Sequence, residues 1–365
     1  MGGKIRPEFI LQKHHGHPAR HSAPVPPANP GGARPPSGGS GFYRLAGKLL
    51  LSLLIAAGGG FAVYYTGAKL MKSFEPKPEP KRTVETPIKD QEWLAMVDGL
   101  EKLSRAYPGR VGIYIKDLET GKTWDYGADA LFPSASLIKV PIMAAVFEKI
   151  KLGALTLDTQ IKLTRHERVG GSGSLKWVRD GTSLSVMEII YKMITESDNT
   201  ATRMLIDYVG MPYLAGAFTA FGLEHTNITQ EGMSLSSGRV PRENYTTARE
   251  MASLMERIYT GNLVSRESSE FMLDVLKHNK SRSRLRKGLP LGWEIGHKTG
   301  LLRKSCHDVG IVFSPRGDYV IAVLTSQAPN YTTAKNFISK VAKLTYKYYK
   351  VDSDYAAVPG DQPAG

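Results

Sequence analysis

Ser136 stands three residues ahead of Lys139 in "FPSASLIKVP", at the start of a run in which Leu137, Ile138, Val140, Ile142, Met143, Val146 and Phe147 are apolar. On a helix, side chains three apart share a face within hydrogen-bond reach. A serine hydroxyl is a poor nucleophile at neutral pH until a base takes its proton, and a desolvated lysine has a lowered pKa suited to that task. A serine at a helix N-terminus also has its developing negative charge favoured there. The plain alternative is a helix cap followed by a surface lysine whose stem lies along the domain. Against it, a helix apolar on nearly every face is buried, and a lysine inside it needs a reason.

Two further groups accompany this pair. "ESDNTATRMLI" places Ser197, Asp198 and Asn199 between one helix and the next, where an ordinary turn with Asn199 or Thr200 capping the following helix is the competing reading. "GHKTG", Gly296–Gly300, ends a strand, and a hairpin turn with an exposed Lys298 is its competing reading. The three occur in this order at separations of about 60 and about 100 residues.

The elements that must position them can be read from periodicity. "DQEWLAMVDGLEKLSRAYPG" has helical spacing at Trp93, Met96, Leu100 and Leu103 and stops at Pro-Gly. "RVGIYIKD" alternates Val111, Ile113 and Ile115, and the chain turns through Gly121 into a partner strand. A helical middle follows, with Ser185/Glu188 and Thr247/Glu250 spaced as capping boxes. Strands return at "GWEIGHKTG", "HDVGIVFSP" and "YVIAVLTS", and a helix from about Thr333 to Tyr349 closes the domain. Two early strands, a helical insertion and three late strands predict an α+β fold: an antiparallel five-stranded sheet flanked by terminal helices, with an all-helical lobe beside it.

Ahead of this domain, residues 49–68 run for twenty residues without a charge, which at 1.5 Å each spans a hydrocarbon layer of about 30 Å. Lys48 and Lys69 close the run. The preceding 48 residues carry about +6 of the chain's formal charge of +14, so the expectation is a signal anchor with that basic, Pro/Gly/His-rich tail in the cytoplasm. Residues 69–89 read as a Pro/charged linker, 90–350 as the catalytic domain and 351–365 as a disordered tail. The remaining excess charge is dispersed, apart from one run at Arg282, Arg284, Arg286 and Lys287. No aromatic interleaving suggests a base-stacking platform, which argues against a nucleic-acid partner. Cys306 is the only cysteine, so an intrachain disulfide and a thiolate metal cage are both excluded.

Through "SLIK", "SDN" and "KTG", residues 90–348 resemble the penicillin-recognising serine enzymes, specifically the class A β-lactamase family. The resemblance implies a β-lactamase/transpeptidase-like fold, no cofactor and no metal. Ser136 would be the acylated nucleophile, Lys139 its base or proton relay, and Ser197 the group that passes the proton to the leaving nitrogen. Asn199 would hold the substrate amide and Lys139, Lys298 would supply positive potential, and Thr299 beside Gly300 would bind a substrate carboxylate. The backbone N–H groups of Ser136 and Leu301 would form the oxyanion hole, and Asp198 would be structural. The implied partner is a β-lactam or a peptidoglycan stem peptide, and the implied reaction is serine-dependent hydrolysis of a cyclic amide. A D,D-peptidase or a penicillin-binding module without turnover shares the same motifs. The chain departs from the pattern where the family carries a deacylating glutamate followed by an asparagine. Glu231 falls near the glutamate position, but Leu235 occupies that of the asparagine. The arginine expected just before the glycine of the following strand is also replaced, by Asp308 and Val309, with Arg303 and Lys304 as the nearby substitutes.

Overall fold

Tyr319–Ser326 opens with six consecutive apolar residues, Tyr319 to Leu324, a pattern that suits a strand covered on both faces. In the computed structural model, which describes residues 88–233 and 241–350, this segment is the buried central strand of a five-stranded antiparallel sheet. The strands are β1 (Arg110–Asp117), β2 (Thr123–Tyr126), β7 (Glu294–Leu302), β8 (Ser305–Phe313) and β9 (Tyr319–Ser326), in the order β2-β1-β9-β8-β7. Residues 1–87, 351–365 and Leu235 lie outside the described residues, and with them the expected tail, span and most of the linker. Among the described residues no helix is long and apolar enough to cross a membrane.

Alternation along β9 sends its side chains into two cores. Tyr319, Ile321 and Val323 join Ile113, Ile115 and the two terminal helices, α1 (Ile88–Arg105) and α9 (Tyr331–Tyr349). Val320, Ala322 and Leu324 join the helical lobe. Helix α1 contributes Trp93, Met96 and Leu100, as its spacing predicts, and begins two residues before the expected domain boundary. Helix α9 also begins two residues early, because the Asn330 side chain accepts the Thr333 N–H and caps it.

The lobe is built on α2 (Lys139–Lys151), buried from Lys139 through Phe147, with α3 (Val186–Thr195), α4 (Asn199–Val209), α5 (Met211–Ala220), α6 (Ala248–Tyr259) and α7 (Arg266–Lys277) around it. Ser185 and Glu188 form the full capping box of α3. Thr247 caps α6 through the Glu250 N–H, but the Glu250 carboxylate turns instead to the His225 N–H and the Thr226 hydroxyl. Two short ribbons complete the lobe. β3 (Phe132–Pro133) pairs with β6 (Tyr245–Thr246), and β4 (Gln160–Lys162) with β5 (Ser183–Ser185).

Candidate active site

Three pieces of chain converge on a cavity of about 230 Å³ between the sheet and the lobe, whose lining includes Ser136, Lys139, Asn199, Arg203, Glu243 and Leu301. The first piece is the turn that carries Ser136. The β3–β6 ladder continues one step further, where the Ser134 N–H donates to the Asn244 carbonyl at 2.7 Å. Ala135 then takes φ +49°, and a 3₁₀ turn, Ala135–Ile138, leads directly into α2. A left-handed alanine costs about 1–2 kcal/mol and persists only where its surroundings hold it. Here the holding groups are the ribbon and the β7 strand. A Cβ on Gly300 would sit 3.0 Å from His307 Cδ2 and 3.1 Å from Ala135 Cβ, so glycine lets that strand come close to the turn.

The second piece is the loop between α3 and α4. Asp198, fully buried, caps α4 through the Ala201 N–H and accepts the Leu175 N–H as well, so it is the cap in place of Asn199 or Thr200. Its neighbour Ser197 is held at φ +55°. Lys139, 2% exposed, donates from Nζ to the Ser197 carbonyl at 2.6 Å, to Ser197 Oγ at 3.3 Å and to Asn199 Oδ1 at 2.8 Å. Ser136 is not among these acceptors; the expected direct Ser136–Lys139 bond is replaced by bonds to Ser197 in the loop and Asn199 at the start of α4. Asn199 Nδ2 donates to the Gly170 carbonyl, tying down a glycine-rich loop over the site.

Strand β7 is the third piece. Its "KTG" lies inside Glu294–Leu302 and not at the strand's end, and Lys298 is fully buried, which excludes the exposed-turn reading. Lys298 Nζ donates to Ser197 Oγ at 3.0 Å, so two lysines meet on one hydroxyl. Burial holds Lys139 well below the ordinary lysine range, and the Lys298 charge pushes the same way, against Asp198. Burial lowers Lys298 to about 7, with the Arg284 guanidinium adding to the effect and Asp308 opposing it. Lysines so perturbed exchange protons near neutral pH.

Arg284 and His307 are site neighbours that sequence reasoning passed over. Arg284 stood in a cationic run that reads as a solvated face, yet it is 5% exposed, adopts φ +59° and donates from Nε to Cys306 Sγ. The nearby substitutes Arg303 and Lys304 instead line a separate cavity with Tyr331 and Cys306. His307, also buried, accepts the Thr325 N–H at Nδ1 and donates from Nε2 to the Pro133 carbonyl at 2.8 Å. Burial lowers it to about 4, so it acts as a neutral tie between β8 and the turn ahead of Ser136. The neighbouring His297 and Asp308 are paired at 2.8 Å and fully enclosed.

Thr299, half-buried, and the exposed Leu301 follow Lys298 along β7, with Leu301 in the cavity lining. Glu231 is not brought to the cavity. Both Nε and a terminal nitrogen of Arg242 donate to its carboxylate, which holds Glu231 below the usual carboxylate range. Its neighbours Gly232 and Met233 line the cavity, as does Glu243.

Comparison with known proteins agrees with this geometry. Residues 96–349 match the model of the beta-lactamase enzyme family. A beta-lactamase of Streptomyces fradiae is 30% identical over 262 residues, 68% of this chain and 85% of its own length. The carbapenem-hydrolyzing beta-lactamase KPC of Klebsiella oxytoca is 28% identical over 237 residues, 63% of this chain and 80% of its own. Among solved structures, PBP-A superposes with a TM-score of 0.64 at 30% identity, covering 69% of this chain and 95% of that one. A mutant of PBP-A has been solved as an acyl-enzyme complex with penicillin G.

Proposed function

The chain belongs to the beta-lactamase enzyme family, and we propose that it is a serine hydrolase of β-lactams that works through a Ser136 acyl-enzyme. The observation that carries this reading is the meeting of two buried lysine nitrogens, Lys139 and Lys298, on Ser197 Oγ beside the cavity that holds Ser136. A buried ammonium is unfavourable, so both lysines give up a proton more readily than in water. Lys139 takes the Ser136 proton as Oγ attacks the amide carbonyl carbon; as the C–N bond breaks, Ser197 gives its hydroxyl proton to the leaving nitrogen and takes the proton held by Lys139, which returns to its neutral form. The N–H groups of Ser136 and Leu301 stabilise the tetrahedral oxyanion, each donor contributing about 3 kcal/mol. Lys298 and Thr299 hold the substrate carboxylate, and the buried Arg284 behind them adds positive potential. Water then hydrolyses the ester on Ser136.

The test pairs turnover with trapping. Purified protein should change the colour of a chromogenic cephalosporin. Intact-protein mass spectrometry after penicillin G exposure should show one adduct, absent in Ser136→Ala. An adduct of full yield on that variant refutes Ser136 as nucleophile. Stable labelling without turnover points instead to a D,D-peptidase or a non-turnover binding module.

The same reading puts the domain outside the cytoplasmic membrane, anchored by residues 49–68. The support is the uncharged run of twenty residues and the positive excess before it.

A further inference from the structure

Hydrolysis of the acyl-enzyme needs a base within reach of the ester carbon, and Glu231 turns away to Arg242. Among the described residues lining the cavity, Glu243 is the one carboxylate. Its place follows from the short ribbon under the nucleophile. Phe132 pairs with Thr246 and Pro133 with Tyr245, and the Ser134 N–H bonds the Asn244 carbonyl. Glu243 is the residue next to Asn244, and its own carbonyl accepts from Asn227 Nδ2 at 3.2 Å. The backbone on both sides is thus tied by hydrogen bonds. One carboxylate oxygen of Glu243 is oriented by the Asn244 N–H at 3.0 Å, and the half-buried residue lines the same cavity of about 230 Å³ as Ser136.

We propose that Glu243 is the general base that hydrolyses the Ser136 acyl-enzyme. This rests on the acylation reading above and deepens it. Glu243 takes a proton from a water whose oxygen bonds the ester carbon. The tetrahedral intermediate then collapses, the bond from that carbon to Ser136 Oγ breaks, and Oγ receives the proton back from Glu243. Ester and water become free acid and serine, so the step balances. Glu231, counted from the same loop, becomes a surface partner of Arg242.

Pulse-labelling of the full chain with penicillin G, followed by intact-protein mass spectrometry, separates the two halves of the cycle. In Glu243→Gln, which keeps an acceptor for the Asn244 N–H, the adduct should form at the wild-type rate and decay at least ~100-fold more slowly. Added formate should speed decay in Glu243→Ala, which a purely structural role would not allow. In Glu231→Gln, decay should stay within about two-fold of wild type. Decay in Glu243→Gln at the wild-type rate, slowing confined to Glu231→Gln, or no response of Glu243→Ala to formate overturns the assignment and leaves Ser136 acylation standing. Absence of any adduct on the wild type overturns both.

Discussion

Replacing Lys298 by methionine should make the protein more stable at neutral pH while destroying the site. Lys298 is fully buried and lowered from 10.5 to about 7, chiefly by burial. At 1.36 kcal/mol per pH unit, that shift corresponds to roughly 5 kcal/mol of penalty for carrying the charge in the folded state. The sign follows from linkage. Between pH 7 and 10.5 the unfolded lysine binds its proton and the folded one does not, so stability rises with pH across that window, and the full penalty is felt below it. Methionine fills similar space without charge but gives up the bonds to Ser197 Oγ and the Thr299 carbonyl, about 1 kcal/mol each. The net gain is roughly 3 kcal/mol below pH 7. For a domain of this size, that raises the melting temperature by roughly 6–12 °C. Above pH 7 the gain should shrink by about 1.4 kcal/mol per unit and vanish near pH 9. Thermal melts of wild type and variant at pH 6.5, 8 and 9 measure this directly. A variant that melts below wild type at pH 6.5, or a gap that does not change with pH, refutes the claim that burial of charge perturbs Lys298.

The remaining predictions concern proton transfer and topology. Ser197→Ala removes the hydroxyl on which both lysines converge, so acylation by penicillin G should slow by ~100-fold or more while prolonged exposure still labels Ser136; stopped-flow rates within ten-fold of wild type would exclude Ser197 from proton transfer. A reporter that works only outside the cytoplasm, fused after Gly365, should be active in the full-length chain, and activity confined to a cytoplasm-specific reporter would reverse the proposed orientation.

What could be read from the sequence was whatever burial writes locally. A lysine in an all-round apolar helix is visible as an anomaly, and Lys139 is indeed enclosed. The run YVIAVL demands cover on both faces, and β9 receives it from two cores. Lys298 was harder, because a lysine between a histidine and a threonine looks like an exposed turn until the strand around it is seen to lie against Ser197. Arg284 could not be distinguished from Arg282, Arg286 and Lys287 at all. Its burial depends on a positive φ and on Cys306, a partner that the chain delivers from another element.

Glu231 and Glu243 show the same limit at the point where it matters most for function. Counting along the loop from a family pattern selects a position, but the direction of a carboxylate is set by what lies across from it. Arg242 holds Glu231 outside the cavity, while Glu243, two residues before the Tyr245 that pairs with Pro133, lines the cavity that also holds Ser136. Neither contact leaves a periodic trace, because a ribbon two residues long is too short to impose alternation. A site built on such a ribbon relies on hydrogen bonds from its neighbours: the Ser134 N–H to Asn244, and the His307 ring to Pro133. The buried, neutral His307 is thus part of the support for the reactive serine: its ring bonds the Pro133 carbonyl ahead of the turn and packs close to Gly300, where β7 comes near Ala135.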